Sequence, residues 1–178
     1  MKKITKGFTL IELLIVIALL GALAVALLAA LDPLEQIKKG TDTGVRNTVA
    51  EISSAIIRYA SVKSGSLPYS GTIGWSSIGT ANNTPGYTAL NAIIGAGELK
   101  ADFLTLAKDQ LDKIYIIADQ SRSYVCFAPG AKAFRVDANT KFVTVGGASV
   151  ATMNEVADCD QNGTSAIAGG ASCYWCVR

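Results

Sequence analysis

The chain has 178 residues, room for one modest globular domain beyond an N-terminal segment, with 50% apolar side chains and a net charge of +2. It contains no histidine, which removes the commonest general acid/base, the commonest metal ligand and any nucleophile–His arrangement. No Gly-rich phosphate loop occurs either, since Gly146-Gly147 and Gly169-Gly170 lack a following Lys-Ser/Thr, so the chain is not expected to be an enzyme.

The N-terminus carries Lys2, Lys3 and Lys6, then Gly7, then Phe8-Thr9-Leu10-Ile11-Glu12. Leu13–Leu31 follows, nineteen residues without a charge and with one glycine, Gly21. As a helix this run is about 28 Å long at 1.5 Å per residue. With Phe8–Glu12 it suits a hydrocarbon core of about 30 Å. An ordinary secretory signal would be cut after its apolar region, and Ala22, Ala24, Ala26, Ala29 and Ala30 offer places. A plain anchor would also fit by length. Neither accounts for Gly7-Phe8 opening the run, or for a carboxylate at Glu12, because ionisable groups at membrane depth are costly and usually functional.

This basic–Gly–Phe–Thr–Leu–Ile–Glu–apolar string resembles the class III signal of type IV prepilins and type II secretion pseudopilins. The resemblance implies that a prepilin peptidase/methylase cuts between Gly7 and Phe8 and methylates the Phe8 amine. It implies a leader over 1–7, a transmembrane and filament-core helix over 8–31, and an exported globular domain over 32–178. It also implies that Glu12 pairs with the Phe8 amine of a neighbouring copy, after an inner-membrane assembly platform has extracted the subunit from lipid. The small residues Gly21, Ala22, Ala24, Ala26, Ala29 and Ala30 would let helices approach closely, though they are equally ordinary anchor composition.

Beyond Leu31, Pro33 predicts a kink or interruption, with Asp32 as an alternative cap for the segment that starts at Pro33. Gly40-Thr41-Asp42-Thr43-Gly44 reads as a second weak point. Val45, Val49, Ile52, Ile56 and Tyr59 then recur at helical spacing as one apolar stripe, with Arg46, Glu51 and Arg58 off it. The expectation is a long helix over roughly 8–63, half membrane-embedded and half amphipathic. Gly65-Ser66-Leu67-Pro68 ends it, and is both a generic stop and similar to the Gly-x-aromatic-Pro element of the same family.

Residues 70–87 read as an exposed loop and 88–111 as two short helices broken near Gly95 and Gly97; Asp109 and Asp112 read as a solvated face. Four β-prone runs follow, Ile114–Ala118, Tyr124–Ala128, Lys132–Val136 and Phe142–Val145, with short connections that imply antiparallel neighbours. The fold class expected is α+β: the long N-terminal helix packed on a four-stranded antiparallel sheet, with a disulfide-closed C-terminal tail as in type IV pilins.

Cys126, Cys159, Cys173 and Cys176 all lie in the exported part, where an even count reads as disulfides with three pairings open. At least one bridge should staple the tail to the sheet. A redox Cys173-Tyr174-Trp175-Cys176 motif and a four-cysteine zinc site are the lesser readings. Asp158, Asp160 and Asn162 with Gly163 match the opening of a calcium loop, but Gly169 stands where a bidentate Glu is needed, so an Asp/Asn-rich turn without cofactor is favoured.

Loss of Lys2, Lys3 and Lys6 with the leader leaves 13 basic against 14 acidic side chains, a net −1, which makes no strong case for nucleic acid. The expected partners are copies of the chain itself, the peptidase/methylase, the assembly platform and, before assembly, the membrane. The expected role is major structural subunit of a type IV pilus. It would move from the cytoplasmic membrane, as a single-pass protein, to the extracellular pilus on the cell surface. A major pseudopilin of a type II secretion system is the alternative, and a DNA-uptake pilus subunit a third.

Overall fold

The computed structural model describes residues 7–30, 32–79, 84–143, 154–155 and 173–178. The chain divides into two compact units, Met1–Ile37 and Lys38–Arg178. In the first, residues 7–9 are non-helical and α1 runs Leu10–Ala30, with every side chain exposed. A second helix, α2 (Pro33–Val62), begins after Asp32. Both expectations for this junction hold together. The helix is interrupted ahead of Pro33, and Asp32 caps the new start, its Oδ1 accepting the Glu35 N–H at 3.3 Å and its carbonyl the Gln36 N–H at 3.2 Å.

The weak point expected at Gly40–Gly44 is absent, because α2 continues through both glycines. A helix-interior glycine costs only about 1 kcal/mol, and this stretch is anchored by burial of Asp42 and Val45. The expected stripe is the buried one: Val45, Val49, Ile52 and Ile56 are buried and Tyr59 packs against them, while Arg46, Glu51 and Arg58 stay exposed. After Val62 the chain turns off through Ser64 (φ 54°) and Gly65 (φ 85°), whose N–H reaches back to the Ala60 carbonyl at 2.7 Å.

The sheet comprises β1 (Ile73–Ser77), β2 (Ile114–Ala118), β3 (Ser123–Phe127), β4 (Thr140–Val143), β5 (Asn154–Glu155) and β6 (Cys173–Val177). Its order is β1-β2-β3-β6-β4-β5, antiparallel throughout. The expected four-stranded antiparallel sheet is present as β2-β3-β6-β4, edged by β1 and β5. One of its expected segments differs. Lys132–Val136 does not form a strand; Lys132–Arg135 is a single helical turn, α6. The vacant place beside β3 is filled from the tail by β6, with Cys126 opposite Cys176 and Phe127 opposite Trp175. In addition, β1 lies inside the stretch read as loop.

Between β1 and β2 run α3 (Pro85–Gly95), α4 (Phe103–Leu106) and α5 (Lys108–Leu111), so the second expected helix is split into two turns. Thr84 caps α3, its Oγ1 accepting the Tyr87 N–H at 3.2 Å. One core joins the α2 stripe to Ile114 and Ile116 of β2, Val125 and Phe127 of β3, and Trp175 of β6. Strand alternation sends Ile117, Tyr124, Cys126 and Cys176 to the opposite face, with Trp75 and Tyr174 against them.

Candidate processing and assembly site

Three residues, Gly7, Phe8 and Thr9, precede the first helical turn in non-helical conformation. A peptide bond there is open to an enzyme that binds extended backbone, whereas one inside α1 would have to be unwound first. A Cβ built on Gly7 meets nothing within 4 Å. Packing against the described residues therefore does not require glycine at this position. Phe8 is 80% exposed among the described residues.

Thr9 stands at the N-cap of α1 and Glu12 three residues on. The Glu12 Oε2 accepts the Thr9 N–H at 2.8 Å and the Thr9 hydroxyl at 2.7 Å, while Thr9 Oγ1 accepts the Glu12 N–H at 3.3 Å. This is a capping box, which satisfies two of the orphan donors of a helix start reciprocally. Thr9 is the site residue that the sequence reading missed, although Thr-x-x-Glu ahead of an apolar run is the recognisable pattern for it. The box gives Glu12 a role within its own chain. Among the described residues, the bonds to the carboxylate use Oε2.

Behind this start, the 21 residues of α1 carry apolar side chains or glycine everywhere except Glu12. The helix is long and apolar enough to cross a membrane, and among the described residues its crossing window is exposed. A helix that is apolar all round belongs in lipid or inside other protein.

Within the second unit, a disulfide joins Cys126 and Cys176, 50 residues apart in sequence and directly opposite on β3 and β6. Cys173 is disulfide-bonded as well. The tail is thus stapled to the sheet as expected. Cys126, Cys173 and Cys176 are held in disulfides rather than presented as thiolate ligands. Cys159 and the calcium-type run Asp158, Asp160 and Asn162 lie outside the described residues. Among the described residues, no group of three or more His, Cys, Asp or Glu side chains is placed to hold a metal ion.

Residues 2–28 match the family model for the prokaryotic N-terminal methylation motif. That motif is the signature of type IV pilins and pseudopilins. It spans the basic leader, the Gly7-Phe8 bond, the capping box and most of α1. No curated protein matches the chain. No solved structure matches it either.

Proposed function

We infer that this bearer of the methylation motif is a polymerising subunit, the major structural subunit of a type IV pilus. The observation that carries the reading is the combination of an open Gly7–Thr9 segment with α1, whose apolar surface is left exposed among the described residues. At 1.5 Å per residue, α1 is about 31 Å long. That length fits a hydrocarbon core of about 30 Å. Lys2, Lys3 and Lys6 keep the leader on the cytoplasmic side.

Cleavage after Gly7 by the prepilin peptidase leaves Phe8 as the new amino terminus, which the same enzyme methylates. Once the assembly platform lifts the subunit out of lipid, α1 needs an apolar environment of equal extent. Copies of the same helix provide it, stacked as the core of a fibre. Glu12 stays in its capping box with Thr9 while the subunit is in the membrane. In the fibre its carboxylate accepts the Phe8 amine of a neighbour, and that charge pair sets the axial register. The role is structural rather than catalytic, and the fibre ends on the cell surface.

The staple of the tail by Cys126–Cys176 supports a fibre that is exposed outside the cell, where disulfides persist. Electron microscopy of sheared surface material from the native organism tests the reading. Long filaments that contain this chain are expected. Short, cell-envelope-confined assemblies would identify a pseudopilus of a type II secretion machine instead.

A further inference from the structure

We propose that Cys126–Cys176 is reached through mispaired disulfides, and that maturation of this chain requires a thiol–disulfide isomerase outside the cytoplasm. This requirement rests on the membrane orientation of the reading above. With the leader held in the cytoplasm, the domain leaves the membrane with Cys126 first, then Cys159, Cys173 and Cys176.

The native pairing runs against that order. Cys126 bonds the last cysteine of the chain, 50 residues away, with Cys159 and Cys173 between them in sequence. Disulfides form outside the cytoplasm, so Cys126 meets oxidant and Cys159 before Cys176 has arrived. The Cys126–Cys159 loop is also the shorter one, and closing a shorter loop costs less entropy. Cys173 and Cys176 then emerge three residues apart and close on each other. Each bond passes two electrons and two protons to a disulfide oxidant of that compartment. Consecutive pairing uses all four cysteines, so no thiol is left in the chain to begin an exchange.

The sheet cannot be completed from that state. Both Cys173 and Cys176 lie in β6, which is inserted between β3 and β4 rather than added at an edge. Three residues of strand separate their Cα atoms by about 10 Å and turn the side chains to opposite faces. A disulfide spans only about 4.4–6.8 Å between Cα atoms. A Cys173–Cys176 bond therefore forbids β6, and without β6 the register that sets Cys176 opposite Cys126 does not exist. Once β6 docks, Cys126 is 0% and Cys176 6% exposed, packed with Ile117 and Tyr124 and covered in part by Trp75 and Tyr174. Exchange needs a thiolate to reach a disulfide sulfur, so burial makes the native pair the end point while mispaired chains stay open to attack.

The rearrangement is redox-neutral and begins with a thiolate from outside. The isomerase thiolate attacks the Cys126 sulfur, the Cys126–Cys159 bond breaks, and Cys159 leaves as a thiolate. That thiolate attacks the Cys173 sulfur, which forms Cys159–Cys173 and frees the Cys176 thiolate. Docking of β6 carries Cys176 to Cys126, where it attacks the mixed disulfide and releases the isomerase thiolate unchanged. Two disulfides within the chain are present before and after, and no net electron moves.

The test expresses the full-length chain in two bacterial hosts that keep their exported disulfide oxidase, one of them deleted for the exported isomerase. Thiols are trapped with N-ethylmaleimide and disulfides mapped by mass spectrometry of unreduced peptides. Without the isomerase, the yield of Cys126–Cys176 should fall about three-fold or more, since the native pairing is one of three, with Cys126–Cys159 and Cys173–Cys176 in its place. The double variant Cys159→Ser/Cys173→Ser leaves one possible pair and should form it equally in both hosts. In the host that keeps the isomerase, pulse-labelled wild-type chains trapped early should carry Cys126–Cys159 before Cys126–Cys176. Equal wild-type yields of Cys126–Cys176 in the two hosts, its appearance with no mispaired precursor, or isomerase dependence of the double variant would overturn the proposal. Free thiols on a domain retained in the cytoplasm would overturn the orientation and the requirement with it. Native disulfides without filaments would overturn the filament reading alone.

Discussion

Thr9 and Glu12 hydrogen-bond each other in both directions across the first turn of α1. One carboxylate thereby holds the helix start of its own chain, and on the proposed filament reading it would also meet a neighbour's amine. The two tasks make different demands: the box needs an acceptor of the right reach, and the neighbour's amine needs a negative charge.

Substitutions at these two positions separate the tasks. Glu12→Gln keeps a capping-box acceptor but removes the charge. Glu12→Val removes both, and Thr9→Val removes the cap while sparing the charge. Cleavage between Gly7 and Phe8 should survive in all three, since the cut site is unchanged, and intact-mass analysis should find mature chains beginning at methylated Phe8. Assembly, read as sheared filament over the membrane pool of mature subunit, should fail in Glu12→Val and Glu12→Gln and be only weakened in Thr9→Val. If Glu12→Gln assembles like wild type, the charge pair is not what sets register, and the carboxylate is retained for its cap alone.

The Cys126–Cys176 bridge predicts a reductant-sensitive domain. A loop closed over 50 residues is worth about 4 kcal/mol on the chain-entropy account. The fragment 32–178 should be soluble and monomeric, because the sheet covers the α2 stripe. In reductant it should lose about 2–4 kcal/mol in urea titration. Trp175, buried on β6 with its ring 5.5 Å from that of Phe127, should then report release of the strand by a red-shifted emission. Unchanged stability on reduction would mean that β6 is held by pairing alone.

Asp119 predicts where acid loosens the β2–β3 hairpin. Its carboxyl lies below the usual Asp range, first because the Ser121 backbone N–H bonds it, then through the Ser121 hydroxyl, with Arg122 adding to the effect. A carboxylate lowered on folding stabilises the hairpin fully above its unfolded pKa, about 3.9, and that contribution fades as pH falls through the lower folded value. The turn should stay intact at pH 5 and open only in stronger acid. Amide resonances of Ser121 and Arg122 should titrate with a midpoint below that of an unstructured Asp, and Asp119→Ala should abolish the transition. A midpoint above the ordinary Asp value contradicts this account.

The stripe Val45–Ile56 was legible because helical periodicity survives in sequence, and the break at Asp32-Pro33 because proline acts locally. Cys126 and Cys176 were legible as disulfide candidates but not as a pair. Their pairing depends on β6 lying beside β3, a contact across 50 residues that no local pattern encodes. Lys132–Val136 reads as a strand because five residues of mixed pattern fit either period. Its surroundings decide: the Pro129–Ala131 loop is anchored to α2, and Thr140 Oγ1 donates to the Phe134 carbonyl at 2.5 Å. In β1 the signal was Trp75, hidden among glycines and serines. Its ring stacks on Tyr115 with centroids 5.1 Å apart, a cross-strand contact visible only once the sheet exists. At the N-terminus the resemblance drew the reading of Glu12 outward to a neighbour, and the capping box inside the chain went unnoticed.

Asp42 is 7% exposed, and its Oδ2 accepts the N–H groups of Gly130 and Ala131 at 2.8 and 2.7 Å. It ties the middle of α2 to the loop that precedes α6, across some 88 residues of sequence. Asp42→Ala leaves two amide donors without their acceptor, one of them buried. Losing a charge-assisted acceptor of this kind should cost about 2–4 kcal/mol. Asp42→Asn keeps the shape and a neutral acceptor oxygen and should cost roughly half as much, because hydrogen bonds to a charged partner are about twice as strong. Urea denaturation of the 32–178 fragment gives the ranking, and hydrogen exchange at Gly130 and Ala131 should accelerate in the same order. The helix itself should persist in both variants, since Val45, Val49 and Ile52 remain buried. Equal stability of Asp42→Ala and wild type would show that water replaces the carboxylate without loss, and that α2 crosses Gly40 and Gly44 without help from this latch.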